Sequence, residues 1–213
     1  MSKLFLDILD KKRLKLFETL KQFKDIGILG GGTDLGLQIG HRKSFDFDIF
    51  TFEPLPSNLW KKVKNVLGAG CTKTLEIQDQ LNLATPENIS ITFFHDDYGF
   101  LFEPISTNYL DLTDLRDLST TKALAIGRRG KWRDYVDIYF LLKRKIVSLE
   151  EIIKFSEQRI GGEFSARLFL QQLVYFDDII DYKIEYFDEE VRPETVKEYL
   201  VGEIEKIVSL FAV

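Results

Sequence analysis

The sequence predicts an α+β protein, with a mixed sheet and helices in the first half and an all-helical second half. Three observations carry this. Between Lys73 and Ile105, apolar residues recur at every second position, the period of half-buried strands. Upstream, two short apolar segments bracket a glycine turn and a helical stretch. After Asn108 the apolar spacing becomes helical nearly to the C-terminus. The expected division is residues 1–107 for the α/β part and 108–213 for the helical part. No flexible linker marks that boundary, so the halves are expected to pack as one rigid body with a cleft between them.

Residues 7 to 23 read as an amphipathic helix with Ile8, Leu9, Leu14, Phe17, Leu20 and Phe23 on one face. The segment from Ile26 to Thr51 then reads as strand, glycine turn, helix and strand. Pro54 and Pro56 end the second strand. Ser57 is the expected N-cap of a helix running to Leu67, which Gly68 and Gly70 close. Thr74-Leu-Glu-Ile, Leu81-Asn-Leu, Ile89-Ser-Ile-Thr-Phe and Phe100-Leu-Phe read as three or four antiparallel strands. Their turns fall at Asp79, Pro86–Asn88 and Asp96–Gly99. Helices follow at 113–127, 132–144, 149–158, 163–176 and 193–211.

Composition bounds the function. With 45% apolar residues, 13% aromatics and a net charge of −5, the chain supports a buried core and does not resemble a non-specific nucleic-acid binder. A polyanionic partner would need a local basic patch. The single Cys71 excludes an internal disulfide, and His41 and His95 alone are a poor basis for a zinc site. No apolar run is long enough to span a membrane and the N-terminus is not a signal peptide, so a cytoplasmic location is expected.

The chemistry concentrates between Ile26 and Thr51. Gly30, Gly31 and Gly32 let the backbone bend sharply and leave its N–H groups open to close approach. Thr33 adds a hydroxyl where a helix begins, and the unpaired amides there attract phosphate. Asp46 and Asp48 stand two apart on a predicted strand, so both carboxylates face one way, with Phe45, Phe47 and Ile49 turned to the core. A divalent cation relieves the repulsion between them, and Mg²⁺ accepts carboxylate and phosphate oxygens together. The pattern points to nucleotide chemistry. His41 and Arg42, just before the dyad, either touch a nucleotide or serve the helix C-terminus as cations.

A second constellation lies between Thr121 and Leu142. Lys122, Arg128, Arg129, Lys131 and Arg133 place five cations within twelve residues of an acidic chain. Lys122 stands beside Ala123, Leu124, Ala125 and Ile126, which places its ammonium near the core or a cleft. Asp134 and Asp137 are one turn apart behind Gly130, with Asp137 in i,i+4 reach of Arg133. Asp134, in the first turn, is the expected catalytic carboxylate, and Asp137 the expected support for Arg133.

Gly31-Gly-Thr, Gly40-His-Arg-Lys-Ser and Asp46-Phe-Asp-Ile-Phe, with Lys122-Ala-Leu-Ala and Arg133-Asp-Tyr-Val-Asp-Ile-Tyr, resemble the motifs of the AbiEii/AbiGii toxin family over residues 26 to 142. The resemblance implies a polymerase-β-like nucleotidyltransferase core. It implies that Gly31, Gly32 and Thr33 receive the triphosphate of an NTP and that Asp46 and Asp48 hold Mg²⁺. Lys122 would neutralise a phosphate and Asp134 complete the carboxylates, with Arg42 and Asp137 contributing at the nucleotide. A hydroxyl acceptor such as tRNA and a small antitoxin partner are also implied. Many such enzymes carry a third carboxylate on a later strand. Here Ser90 and Thr92 take the outward positions, so either one metal binds firmly and a second only with substrate, or Asp134 supplies the missing group. A nucleotide-binding module without turnover and a partner-binding protein are the alternative readings.

Overall fold

The computed structural model describes residues 4–211, apart from the side chains of Arg129 and of residues 208–211. The chain falls into two compact units, residues 1–99 with 103–114, and residues 100–102 with 115–213.

The first unit is built on a five-stranded mixed sheet. Its strands are β1 (Gly27–Gly30), β2 (Phe47–Thr51), β3 (Thr72–Ile77), β4 (Gln80–Ala84) and β5 (Ser90–His95). Their order is β1-β2-β5-β4-β3. β3, β4 and β5 form the expected antiparallel meander, while β5 runs parallel to β2. That parallel pair was not legible in the period-two pattern, which does not encode direction. Three helices accompany the sheet: α1 (Lys11–Leu20), α2 (Gly31–Ile39) and α3 (Leu59–Leu67). Asp10 caps α1 by accepting the N–H groups of Lys12 and Arg13, each at 2.9 Å. The inward residues Phe47, Ile49, Leu81, Leu83, Ile91 and Phe93 pack with Phe17, Leu20, Phe23, Leu59 and Val63 into one core. Phe17 stacks on Phe47 at 6.1 Å between ring centroids, and Phe23 tilts against Phe93 at 5.2 Å.

Several expectations are corrected in this unit. The first helix covers only Lys11–Leu20, with a 3₁₀ turn on either side. Phe45 does not reach the core. It is 41% exposed beneath the Arg13 guanidinium, 5.0 Å from its ring centre, and Arg13 Nε also donates to the Phe45 carbonyl. Asp46 precedes β2 rather than lying in it, because the ladder begins at Phe47. Asn58, not Ser57, is the cap position of α3. Phe100–Phe102 is no strand. The N–H groups of Leu101 and Phe102 donate to the buried Asp117 carboxylate at 3.0 Å, which ties the segment to the helical unit.

Asp34, one turn into α2, is fully buried, and burial pushes its carboxyl well above the usual 3.8. It accepts from Gln38 Nε2 at 2.8 Å and from the Thr113 N–H at 2.9 Å. Segment 111–113 is thereby fixed beside β1, where Leu29 N–H also donates to the Asp111 carbonyl at 2.7 Å. A carboxyl with a raised folded pKa stabilises the fold fully below its unfolded value, and this contribution is lost as pH rises through the folded value. The stability difference between wild type and Asp34→Asn should therefore be greatest in wild type's favour near pH 4 and shrink as pH rises. Denaturant unfolding of the pair from pH 4 to 8 measures it, and a constant difference would show that Asp34 is not protonated in the fold.

The second unit contains α4 (Leu115–Arg129), α5 (Trp132–Lys143), α6 (Leu149–Ile160), α7 (Ala166–Leu173) and α8 (Pro193–Phe211). Gly130, at φ +48°, makes the break between α4 and α5. α6 opens with a capping box between Ser148 and Glu151. Arg159 binds α6 to α4 by donating to the Asp117 carbonyl and the Thr120 and Thr121 hydroxyls at 2.7–3.1 Å. α7 is shorter than the expected 163–176 because Ser165 caps it and a 3₁₀ turn occupies Gly161–Glu163. Trp132 is core, stacked on Tyr135 and edge-on to Tyr182. Among the described residues no helix is long and apolar enough to cross a membrane.

Candidate functional site

The first constellation is assembled by β1, the start of α2 and β2. Gly31 has φ +68°, a left-handed value that glycine adopts without strain. A Cβ there would sit 2.2 Å from Asp48 Oδ2, so the missing side chain is the space the carboxylate occupies. Gly30 is tied in the same way to Phe50, whose ring atom Cε2 lies 2.0 Å from where a Cβ would stand. A Cβ on Gly32 would come within 2.7 Å of Arg42 Nη2 and 3.1 Å of Ser44 Oγ. Each glycine of the turn therefore has a side chain packed directly on its backbone.

Thr33 is buried, and its hydroxyl donates to the Asp46 main-chain carbonyl. This bond ties the first turn of α2 to the residue before β2. Asp46 is exposed and Asp48 half-buried. Arg42 is buried, with Nη1 donating to the Lys43 carbonyl at 3.0 Å, and His41 is fully buried beside it. Ser44 carried no signal beyond its place in the His-Arg-Lys-Ser run, and the structure adds it to the residues at the head of α2.

The donor set suits a hard divalent cation. Asp48 offers carboxylate oxygens against a helix N-terminus, and Asp46 offers a second carboxylate two residues away. Among the described residues, no group of three or more His, Cys, Asp or Glu side chains is placed to hold a metal. Remaining ligands would come from water and from phosphate oxygens, which is how Mg²⁺ is usually bound.

Strand register identifies the residues beside Asp48. Gly30 pairs with Asp48, Asp48 with Thr92, Thr92 with Asn82, and Asn82 with Leu75, so these five form one row on one face. The position on β5 beside Asp48 is thus held by Thr92, a neutral hydroxyl. The neighbouring row on the same face is Ile28, Phe50, Phe94, Gln80 and Ile77.

The second constellation lies within the helical unit and differs from the spacing-based expectation. Lys122 Nζ is 2.8 Å from Asp134 Oδ1 and 2.6 Å from Asp137 Oδ2. Asp134 and Asp137 are fully buried and Lys122 is 5% exposed. Asp137 thus meets Lys122 from α4, where i,i+4 spacing suggested Arg133; Arg133 itself is exposed. A spacing rule ranks partners along one helix and is blind to a lysine arriving from another. Of the remaining cations, Arg128 pairs with Glu163 at 3.1 Å, Lys131 is exposed, and the Arg129 side chain lies outside the described residues.

No family model matches the chain. The fold is shared with solved nucleotidyltransferase structures. A candidate nucleotidyltransferase of Helicobacter pylori aligns with a TM-score of 0.57 at 18% identity, over 93% of this chain and 96% of that one. MenT4, a nucleotidyltransferase toxin of Mycobacterium tuberculosis, aligns with a TM-score of 0.61 at 14% identity, over 90% of this chain and 80% of that one. At those identities the likeness is one of fold. In sequence, the uncharacterized protein aq_aa25 of Aquifex aeolicus is 30% identical over 197 residues, 86% of this chain and 95% of its own length. The chain belongs to the same family as that Aquifex aeolicus protein.

Proposed function

We propose that the protein is a Mg²⁺-dependent nucleotidyltransferase that moves a nucleoside monophosphate from an NTP to a hydroxyl acceptor. The observation that carries this reading is the Asp48 carboxylate lodged against Gly31 at the N-terminus of α2, in a fold shared with nucleotidyltransferases. The amides of Gly31, Gly32 and Thr33 receive the triphosphate, with the Arg42 guanidinium packed on Gly32 supplying positive charge. Asp46 and Asp48 would hold Mg²⁺, which when bound neutralises phosphate charge and polarises the α-phosphoryl group. In the helical unit, Lys122 supplies positive charge and Asp134 the further carboxylate, with Asp137 holding the lysine in place.

The transfer is an in-line displacement. The acceptor oxygen forms a bond to the α-phosphorus, the bond to the β-phosphate oxygen breaks, pyrophosphate leaves and the acceptor proton is released. Positioning and charge neutralisation supply the rate, with no covalent enzyme intermediate. A structural neighbour that is a nucleotidyltransferase toxin supports a toxin role, and the motif resemblance is the ground for tRNA as acceptor and a small antitoxin as partner. The lone buried Cys71 suits a reducing cytoplasm. Thr92 beside Asp48 favours a second reading, a nucleotide-binding module that has lost turnover.

Incubation with each labelled NTP, Mg²⁺ and total RNA tests these readings. Label on RNA is the expected result. Retained NTP without transfer identifies the binding module, and neither retention nor transfer leaves a partner-binding protein.

A further inference from the structure

The sheet face that carries Asp48 also carries an apolar patch that the catalytic reading does not use. Phe50 and Phe94 pair in register on β2 and β5, with rings edge to face at 6.0 Å. The patch continues over β3, where Leu75 is 40% and Ile77 55% exposed, and Phe94 itself is 37% exposed. Gln80 and Asn82, joined by an amide hydrogen bond of 2.7 Å, lie between them on β4. An aromatic pair with Phe94 exposed and Phe50 half-buried, and with half-buried amide groups beside it, suits a flat π-system with polar edges.

We infer that this face binds a nucleobase, stacked on Phe94 and bordered by the Gln80 and Asn82 amides. The inference rests on the nucleotidyltransferase reading and deepens it. Position decides the ligand. Phe50 lies two residues from Asp48 on the same strand face, about 7 Å along β2, and its ring covers Gly30 at the head of α2. A phosphate held at Gly31 and Gly32 therefore has an aromatic surface one strand period away, a separation of the same order as one ribose. A protein docked on the patch would cover the dyad, whereas a nucleotide spans both. Because every base has a π-face, the stacking itself does not select among bases, and any selection falls to Gln80 and Asn82.

The base belongs either to the NTP or to the acceptor RNA, and one experiment separates them. Phe94→Leu and Phe94→Tyr are compared with wild type for Mg-NTP binding, for binding of Mg-tripolyphosphate, which has no base, and for KM towards total tRNA. A base of the NTP predicts about tenfold weaker NTP binding in Phe94→Leu, unchanged tripolyphosphate binding and recovery in Phe94→Tyr. A base of the acceptor predicts unchanged NTP binding with a KM for RNA raised by about the same factor. Nucleotide and RNA parameters that both ignore Phe94, in an active enzyme, overturn the inference alone. A wild type that neither binds NTP nor transfers overturns the reading beneath it and the inference together.

Discussion

Asp48→Asn should lower nucleotidyl transfer by about a thousandfold, equivalent to the several kcal/mol that a bound metal contributes to a phosphoryl transition state. The carboxylate oxygen lies where a Gly31 side chain would be, so the amide fits the same hollow and the backbone need not move. Asp46→Asn should fall by a similar factor. Asp46 is exposed and its structural link to Thr33 runs through its main-chain carbonyl, which the substitution keeps. Removing one of two nearby like charges also relieves repulsion, so both variants should melt at or above the wild-type temperature. Single-turnover transfer with labelled NTP, paired with thermal melts, makes the measurement. Unfolding of both variants would make the dyad a structural feature and end the metal-site reading, while full activity in both would move the metal elsewhere.

What the sequence disclosed follows from which interactions are local. The glycine turn, α2 and the alternation of Phe47, Asp48 and Ile49 are set by near neighbours, and the structure has them in place. Helices α4, α5, α6 and α8 fell close to their expected spans because Gly130, Ser148 and Pro193 punctuate them locally. Non-local pairing was hidden. The parallel β2–β5 ladder, which brings Thr92 beside Asp48 and Phe94 beside Phe50, joins segments some forty residues apart in the chain. Asp34 carried no signal in the sequence because nothing near it shows that Thr113 will donate to its carboxyl. Phe45 was placed in the core by extending strand alternation two residues beyond the start of the ladder. The partners of Asp137 and Asp34 were hidden for one reason, since a buried carboxylate takes whatever donor the tertiary fold delivers.

Lys122→Ala should unfold or severely destabilise the helical unit as well as stop transfer. Both carboxylates that the lysine meets are fully buried, and truncation removes the ammonium that lies 2.8 Å from one and 2.6 Å from the other. Removing one member of a buried ionic group costs about 3–5 kcal/mol, enough to lower Tm by about 10 °C or more in a chain of this length. Single substitutions on the acidic side have the opposite character. Asp134→Asn or Asp137→Asn turns two carboxylates and one ammonium into a one-to-one pair, so each should stay folded. Their rates then separate their roles. Asp134→Asn should remove nearly all transfer with NTP binding largely intact, whereas Asp137→Asn should cause only a partial loss through a less firmly held lysine. The variant Lys122→Met/Asp134→Asn/Asp137→Asn, which removes all three charges, should melt well above Lys122→Ala while remaining inactive. If Lys122→Ala melts with wild type and only NTP binding suffers, other groups compensate the two carboxylates and the lysine serves the nucleotide alone. If Asp137→Asn is the dead, folded variant, the roles of the two aspartates are reversed.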